Sequence, residues 1–358
     1  MDRLVRLGFS RKTLEEAGKF TDLYPGRVIS QYKDLYRVAL EEGELLAEVK
    51  GKLRYQAEEA WEFPAVGDFV LLDRQSDDQG NGIIHGILKR KSLFRRKAAG
   101  TVEGQQVVAV NMDIVFLCMS LNKDFNLRRL ERYLALAWDS GAGPVILLTK
   151  ADLCQDLEER LAEIQSVAFG VPLIVTSSLL DEGIEEIREL IKPGVTAVFL
   201  GSSGVGKSTL INHLLDKEWI KVGDIREDDD KGRHTTTRRD LMLIPDGGAV
   251  IDTPGMREIG LESVDLSSTF QDIEDLALAC RFRDCTHESE PGCQVRRAIE
   301  EGTLSEERLA SYKKLQKENR YDGLNSRQIE KEKISTMFAE FGGIKNARDF
   351  VKNSKKRR

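Results

Sequence analysis

The chain has 358 residues, 41% hydrophobic and 32% charged, with a formal net charge of −6 at pH 7. That length leaves room for two or three domains with real cores, and the mild acidity speaks against uniform coating of nucleic acid without excluding local basic patches. No run is long and apolar enough to span a bilayer, and the charged start MDRLVRLGFSRKTLEEAG lacks a signal-peptide core, so a soluble cytoplasmic protein is expected.

Residues 1–25 read as a short helical or flexible lead. From Gly26 the texture is β: RVISQY, LYRVAL, LLAEVKG, GDFVLLD and GIIHGILK are short, partly alternating and separated by polar or glycine-containing turns. About five such strands within residues 26–100 fit a small barrel, with the OB-fold the natural candidate. A β-sandwich or an SH3-like barrel would read almost the same way. At the barrel exit, KRKSLFRRK (Lys89 to Lys97) carries six basic residues in nine around Phe94. It is either a solvated linker or a patch that contacts a nucleic-acid backbone.

Residues 106–262 alternate strand and helix. DIVFLCMS, PVILLTK, VPLIVTS, AVFLG and GGAVIDT are apolar runs of strand length. LRRLERYLALAWDS and LEERLAEIQSVAFG between them show the three-to-four spacing of amphipathic helices. This predicts an α/β domain with a mostly parallel sheet. Residues 263–358 read as helical around a Cys/His knot, with a charged helix over Ser305 to Asn319 and a basic tail, KNSKKRR.

Within the α/β region, Gly201-Ser202-Ser203-Gly204-Val205-Gly206-Lys207-Ser208 matches G-x-x-x-x-G-K-[ST], follows an apolar strand and, with Thr209, opens an apolar helix. Its glycines let backbone N–H groups point inward at a phosphate, and the helix adds its positive end. Lys207 supplies a point charge to the β- and γ-phosphates, and Ser208 is placed to ligate Mg²⁺.

Two segments point to guanine. Thr149-Lys150-Ala151-Asp152 ends PVILLTK and resembles the N/T-K-x-D motif of GTPases. The Asp152 carboxylate can accept in parallel from guanine N1–H and the 2-amino group, a donor pair that adenine lacks. Lys150 can lay its stem over the base. Thr149 stands where Asn is common, and its hydroxyl can supply part of the amide's tether to the phosphate loop. Thr176-Ser177-Ser178, one helix–strand unit later, resembles the loop whose N–H meets guanine O6.

Asp252-Thr253-Pro254-Gly255 matches D-x-x-G, with Asp252 holding a Mg²⁺-bound water and Gly255 N–H sensing the γ-phosphate. The polar loop Gly232-Arg233-His234-Thr235-Thr236-Thr237 lies between the phosphate loop and this motif, as a switch would. One of its threonines, Thr236 by preference, should complete the Mg²⁺ shell. Ordinary GTPases run from phosphate loop to base motif, whereas here TKAD and TSS come first. The chain is circularly permuted, which leads the segment after DTPG into the Cys/His region.

That region holds Cys280-x4-Cys285-x-His287-x5-Cys293. An odd total of five cysteines without a secretion signal argues against disulfides, and Cys₃His is a common closed structural set for one Zn²⁺.

Barrel, permuted GTPase order and Cys/His knot together resemble the ribosome small-subunit-dependent GTPase A family (RsgA/YjeQ). GSSGVGKST, GRHTTTRRD, DTPGMREIG and the cysteine pattern carry the resemblance across nearly the whole chain. It implies an OB-fold, a C-terminal helical zinc-binding domain, and GTP hydrolysis stimulated by the small (30S) ribosomal subunit and its rRNA during late maturation of that subunit. It also implies that His234 orients water where Met256, after DTPG, cannot. A monomer is expected, since symmetry gains nothing on an asymmetric RNA particle. The alternative is a regulatory GTPase switch on another RNA or protein partner. A membrane-trafficking switch would carry a lipidation motif, which KKRR is not. Intact Lys207, Ser208 and Asp252 argue against a vestigial binding module.

Overall fold

The computed structural model describes residues 3–320 except 33, 58, 77, 79, 98–104, 123, 219–238 and 253–265. His234, Thr236, Gly255, Met256 and the basic tail therefore lie outside the described residues. No helix among the described residues is long and apolar enough to cross a membrane.

Two short helices, α1 (Arg3–Arg6) and α2 (Arg11–Ala17), open the chain, the second capped by Ser10, whose side chain accepts the Thr13 N–H. They are not a detached lead, because Leu4, Leu7, Phe9 and Ala17 are buried against Ala39, Phe69, Leu71 and Leu88. The next five strands are β1 (Tyr24–Gln31), β2 (Tyr36–Ala39), β3 (Glu44–Val49), β4 (Phe69–Leu72) and β5 (Gly82–Ile87), with a short helix α3 (Gly51–Gln56) between β3 and β4. The strands pair in the order β1-β2-β3-β5-β4, and β4 pairs back with β1 to close the barrel. The β3–β5 pair is parallel and the others antiparallel, a five-stranded Greek-key path of the OB type. Alternate residues Val28, Val38, Leu45, Ala47, Val70, Leu72 and Ile84 fill its interior.

The basic run does not form a free linker. Leu93–Lys97 is strand β6, paired antiparallel with β7 (Gln105–Val110). Arg90 donates from Nε and Nη2 to both oxygens of buried Asp68, and Lys91 Nζ donates to Asp113 at 2.6 Å.

The α/β domain contains strands β8 (Ile114–Ser120), β9 (Gly143–Thr149), β10 (Leu173–Val175), β11 (Thr196–Gly201), β12 (Asp240–Leu243) and β13 (Ala249–Asp252). Their order is β10-β9-β8-β11-β13-β12, parallel throughout except for β12. Parallel strands need both faces covered, and the side chains divide accordingly. Val115, Leu117, Met119, Val198 and Leu200 face one core, while Phe116, Cys118, Ala197 and Phe199 face the other. Helices α4 (Leu127–Asp139) and α5 (Leu157–Val167) cover the first face; α6 (Ile184–Leu190) and α7 (Lys207–Leu214) cover the second.

The C-terminal helices α8 (Gln271–Leu278), α9 (Gln294–Glu300) and α10 (Glu306–Arg320) extend the first core with Phe270, Ile273, Val295, Leu309, Tyr312 and Leu315. Buried Arg308 is the clasp. It donates to Glu131 of α4 at 2.9 Å, to both Asp272 oxygens and to Thr269 O.

Candidate active site and metal centre

The C-terminal ends of β9, β10, β11 and β13 lie along one edge of the sheet, so the segments after them in the chain are neighbours. Crevices at such edges are where open α/β sheets bind ligands. The loop after β11 turns with Gly204 and Gly206 at φ 73° and 102°, in the left-handed region that glycine enters without strain. Gly201 is required for a different reason. A Cβ there would come 2.5 Å from the carbonyl oxygen of Cys118 on the neighbouring strand. Helix α7 starts directly at Lys207, whose Nζ donates to Gly201 O at 2.7 Å and Ser202 O at 2.5 Å, tucking the cation inside the loop. Ser208 and Thr209 occupy the first turn of α7.

The TKAD loop is tied to this one at two points. Thr149 is 3% exposed, and its hydroxyl donates to Val205 O at 2.6 Å. Lys150 takes a left-handed backbone (φ 59°), and its Nζ reaches Gly204 O at 2.7 Å, so its stem spans the two loops. A third tie joins the loop after β10. Ala151 N–H donates to Thr176 O at 3.1 Å, and the buried Ser177 hydroxyl donates to Asp152 Oδ1 at 2.7 Å. A carboxylate has about four lone-pair sites, so the serine fixes the Asp152 rotamer while using one of them. Ser178 comes next, half-buried. Asp252 ends β13 in the same row of strand ends. Thus Thr149 to Asp152, Ser177, Ser178 and Gly201 to Thr209 are brought to one edge.

Tyr133 on α4 was not legible as part of this edge. Its hydroxyl hydrogen-bonds the Ser202 side chain, and burial raises its pKa. Within the α4 sequence it reads as one more apolar-face residue. Cys118 lies beneath the phosphate loop, where burial pushes its thiol up to about 12 and keeps it inert.

A second cluster could hold a metal ion. The ligating atoms of Cys280, Cys285, His287 and Cys293 all lie within 4.8 Å of one another. Cys280 Sγ stands 3.9 Å from Cys293 Sγ and 3.7 Å from His287 Nδ1, with Cys293 Sγ to Nδ1 at 3.4 Å. A tetrahedron with zinc–sulfur bonds of about 2.3 Å has edges of about 3.7 Å, so the set fits Zn²⁺. Backbone N–H groups of Gln294 and Arg296 donate to the Cys280 and Cys293 sulfurs at 3.4 Å, as suits thiolates. Burial works to raise the Cys280 thiol, but the N–H groups of Gln294 and Val295 outweigh it and hold the pKa below its ordinary value. Burial first, then the Lys313 charge, lowers the His287 pKa and keeps the ring in the neutral form a metal requires.

Known proteins carry the same combination. The RsgA GTPase family model matches residues 87–262. "Small ribosomal subunit biogenesis GTPase RsgA 2" of Lactiplantibacillus plantarum is 50% identical over 335 residues, 94% of each chain. A protein named RsgA 1 of Listeria innocua is 46% identical over 89% of this chain and 90% of its own. Among solved structures, YjeQ from Thermotoga maritima superposes with a TM-score of 0.61 at 30% identity, covering 82% of this chain and 97% of that one. YloQ, described as a circularly permuted GTPase, gives 0.59 at 25% identity over 83% and 95%. Half of all positions shared along nearly the full length, in a sheet whose strand order is that of a permuted GTPase, makes this chain a member of the RsgA GTPase family.

Proposed function

We propose that the protein binds the small ribosomal subunit through its rRNA and hydrolyses GTP there, assisting late maturation of the subunit. The observation that carries the nucleotide part is the set of ties among three loops: Thr149 to Val205, Lys150 to Gly204 and Ser177 to Asp152. They hold a guanine-reading carboxylate beside a phosphate-binding loop through bonds within the protein itself, so less ordering entropy is spent on binding. The ribosomal part rests on family membership and on what the relatives are named for.

The reading assigns roles residue by residue. Thr149, Lys150, Ala151, Asp152, Ser177 and Ser178 take the guanine. Gly201 to Thr209 and Gly255 take the phosphates. Ser208, Thr236 and Asp252 would hold Mg²⁺, which neutralises charge on the phosphate oxygens when bound. One Zn²⁺ on Cys280, Cys285, His287 and Cys293 holds the C-terminal fold. By domain, residues 26–100 are the barrel, 106–262 the GTPase unit and 263–358 the zinc-binding helical unit. The protein acts as a cytoplasmic monomer.

Met256 comes directly after DTPG and offers no group to orient water, so His234 of GRHTTT takes that part on the subunit. Steady-state GTP turnover with and without purified small subunits tests the reading. Stimulation by subunits is expected, with His234→Ala retaining GTP and subunit binding but losing most of the stimulated rate. Equal turnover with and without subunits would overturn the ribosomal reading. Full stimulated turnover by His234→Ala would return catalysis to a group supplied in trans.

A further inference from the structure

The barrel and the GTPase sheet share one continuous set of hydrogen-bonded strands, and the join falls at a specific residue. Strand β1 of the barrel pairs with β12 at Ser30 and Asp240. On its other edge β12 pairs with β13, and the same residue, Asp240, sits opposite Asp252. Ser30, Asp240 and Asp252 therefore form a single row across three strands, from the barrel wall to the first residue of the DTPG motif. The row is tied through side chains as well, since the buried Ser30 hydroxyl donates to Asp240 Oδ1.

Two further contacts stiffen the join. Arg239, just before β12, donates to Val107 O on β7 at 2.6 Å. Arg27, three residues before Ser30 on β1, is fully buried. Its guanidinium donates to Leu7 O, Gly67 O and Asn111 O, and to the hydroxyl of Thr196 at 2.8 Å. Thr196 begins β11, the strand that ends in the phosphate loop. A buried cation whose bonds all go to neutral acceptors is costly and is satisfied only in one geometry. The barrel thus cannot rotate on the GTPase sheet without breaking these bonds, and β1 is tied through Arg27 to β11, which ends in the phosphate loop, and through β12 to β13, which ends at Asp252.

We propose that Ser30 and Asp240 are positioning residues for GTP hydrolysis, setting the place of Asp252 through the row they share. A load on the barrel, such as an RNA bound to it, would reach the Mg²⁺ motif by this short path. This rests on the reading of Asp252 as the holder of a Mg²⁺-bound water. It assigns the barrel a part in turnover, beyond attachment to the partner.

The test is a double-mutant cycle in the full-length protein, with turnover measured at saturating small subunits. Loss of this buried hydrogen bond should lower stimulated kcat about fivefold in Ser30→Ala and at least as much in Asp240→Ala, with KM for GTP in Ser30→Ala changed less than about twofold. The double variant should be no worse than Asp240→Ala alone, and Asp240→Asn, which keeps an acceptor for Ser30, should recover most of the rate. Wild-type kcat in Ser30→Ala, or effects that multiply in the double variant, would overturn the proposal. If subunits do not stimulate even the wild type, the ribosomal reading fails, and the inference is decided instead by hydrogen exchange of the GDP-bound protein. Ser30→Ala should then speed exchange at amides of β12 and β13 about fivefold. Unchanged rates there would overturn it independently.

Discussion

Replacing Thr149 by Val removes one hydroxyl and almost no volume, which makes it a clean probe of the tie between base loop and phosphate loop. The hydroxyl is buried and donates to Val205 O at 2.6 Å, so the substitution deletes a short internal bond and takes a donor from a backbone carbonyl. A bond of this kind contributes about 1–2 kcal/mol net when its acceptor is left behind in a buried place. The loss falls on nucleotide binding to the extent that the tie preorganises the loops. Weakening of GDP binding by about five- to thirtyfold is therefore expected. The Asp152 carboxylate is held by Ser177 rather than by Thr149, so the preference for guanine over adenine nucleotides should not change. Calorimetric titration of GDP and ADP into wild type and Thr149→Val, with thermal melts to confirm the fold, gives both numbers. Thr149→Asn, which installs the commoner residue of the motif, should bind GDP at least as tightly as wild type. GDP affinity within twofold of wild type in Thr149→Val would refute the claim that this bond preorganises the site.

The same geometry sets three further outcomes. Asp152→Asn exchanges an acceptor pair for an acceptor and a donor, so it should weaken GDP binding by at least about tenfold and favour xanthine nucleotides; competition titration with XDP checks it, and unchanged preference would remove Asp152 from base recognition. Metal analysis of the purified protein should give one zinc per chain. Cys285→Ser should lower that content and destabilise the C-terminal helices while GDP binding persists, whereas a metal-free, fully folded wild type would refute the site. Arg308→Ala leaves Glu131 buried without its cation, in a place where burial already raises its pKa despite the Ser311 hydroxyl and Arg308. A loss of roughly 3–5 kcal/mol is expected for breaking such a pair from one side, read as an early unfolding transition of the C-terminal helices, and a melt indistinguishable from wild type would show the clasp to be dispensable.

What the sequence made legible was what short spacing encodes. The phosphate loop, TKAD and the Cys/His knot are each local. Their chemistry depends on residues a few positions apart, and the apolar runs around them were of strand length. The five barrel strands were legible one by one and their number fitted a barrel, but a sandwich read almost the same way, because closure depends on β4 meeting β1, far apart in sequence. Strand β12 leaves little trace in the sequence, since DLML is too short to alternate visibly beside the polar segment preceding it. Charge was the least reliable guide. Arg27 in RVISQY looks like an ordinary exposed strand residue, yet it is buried because Leu7, Gly67, Asn111 and Thr196, distant in sequence, all bring acceptors to it. Arg90 and Lys91 belong to the run that reads as a solvated linker or a backbone-contacting patch, and each is paired with a carboxylate, Asp68 and Asp113. A run of cations announces itself in a sequence, whereas the carboxylates that neutralise it arrive from other parts of the fold.

The permutation gains its mechanical meaning from where the chain is fixed on either side of residues 253–265. On one side Asp252 is locked into β13 opposite Asp240. On the other, Leu266 and Phe270 are buried in the core that α4 shares with the C-terminal helices, and Arg308 clamps Thr269 O and Asp272 to Glu131. The connection after DTPG therefore runs between two anchored points rather than into a free domain.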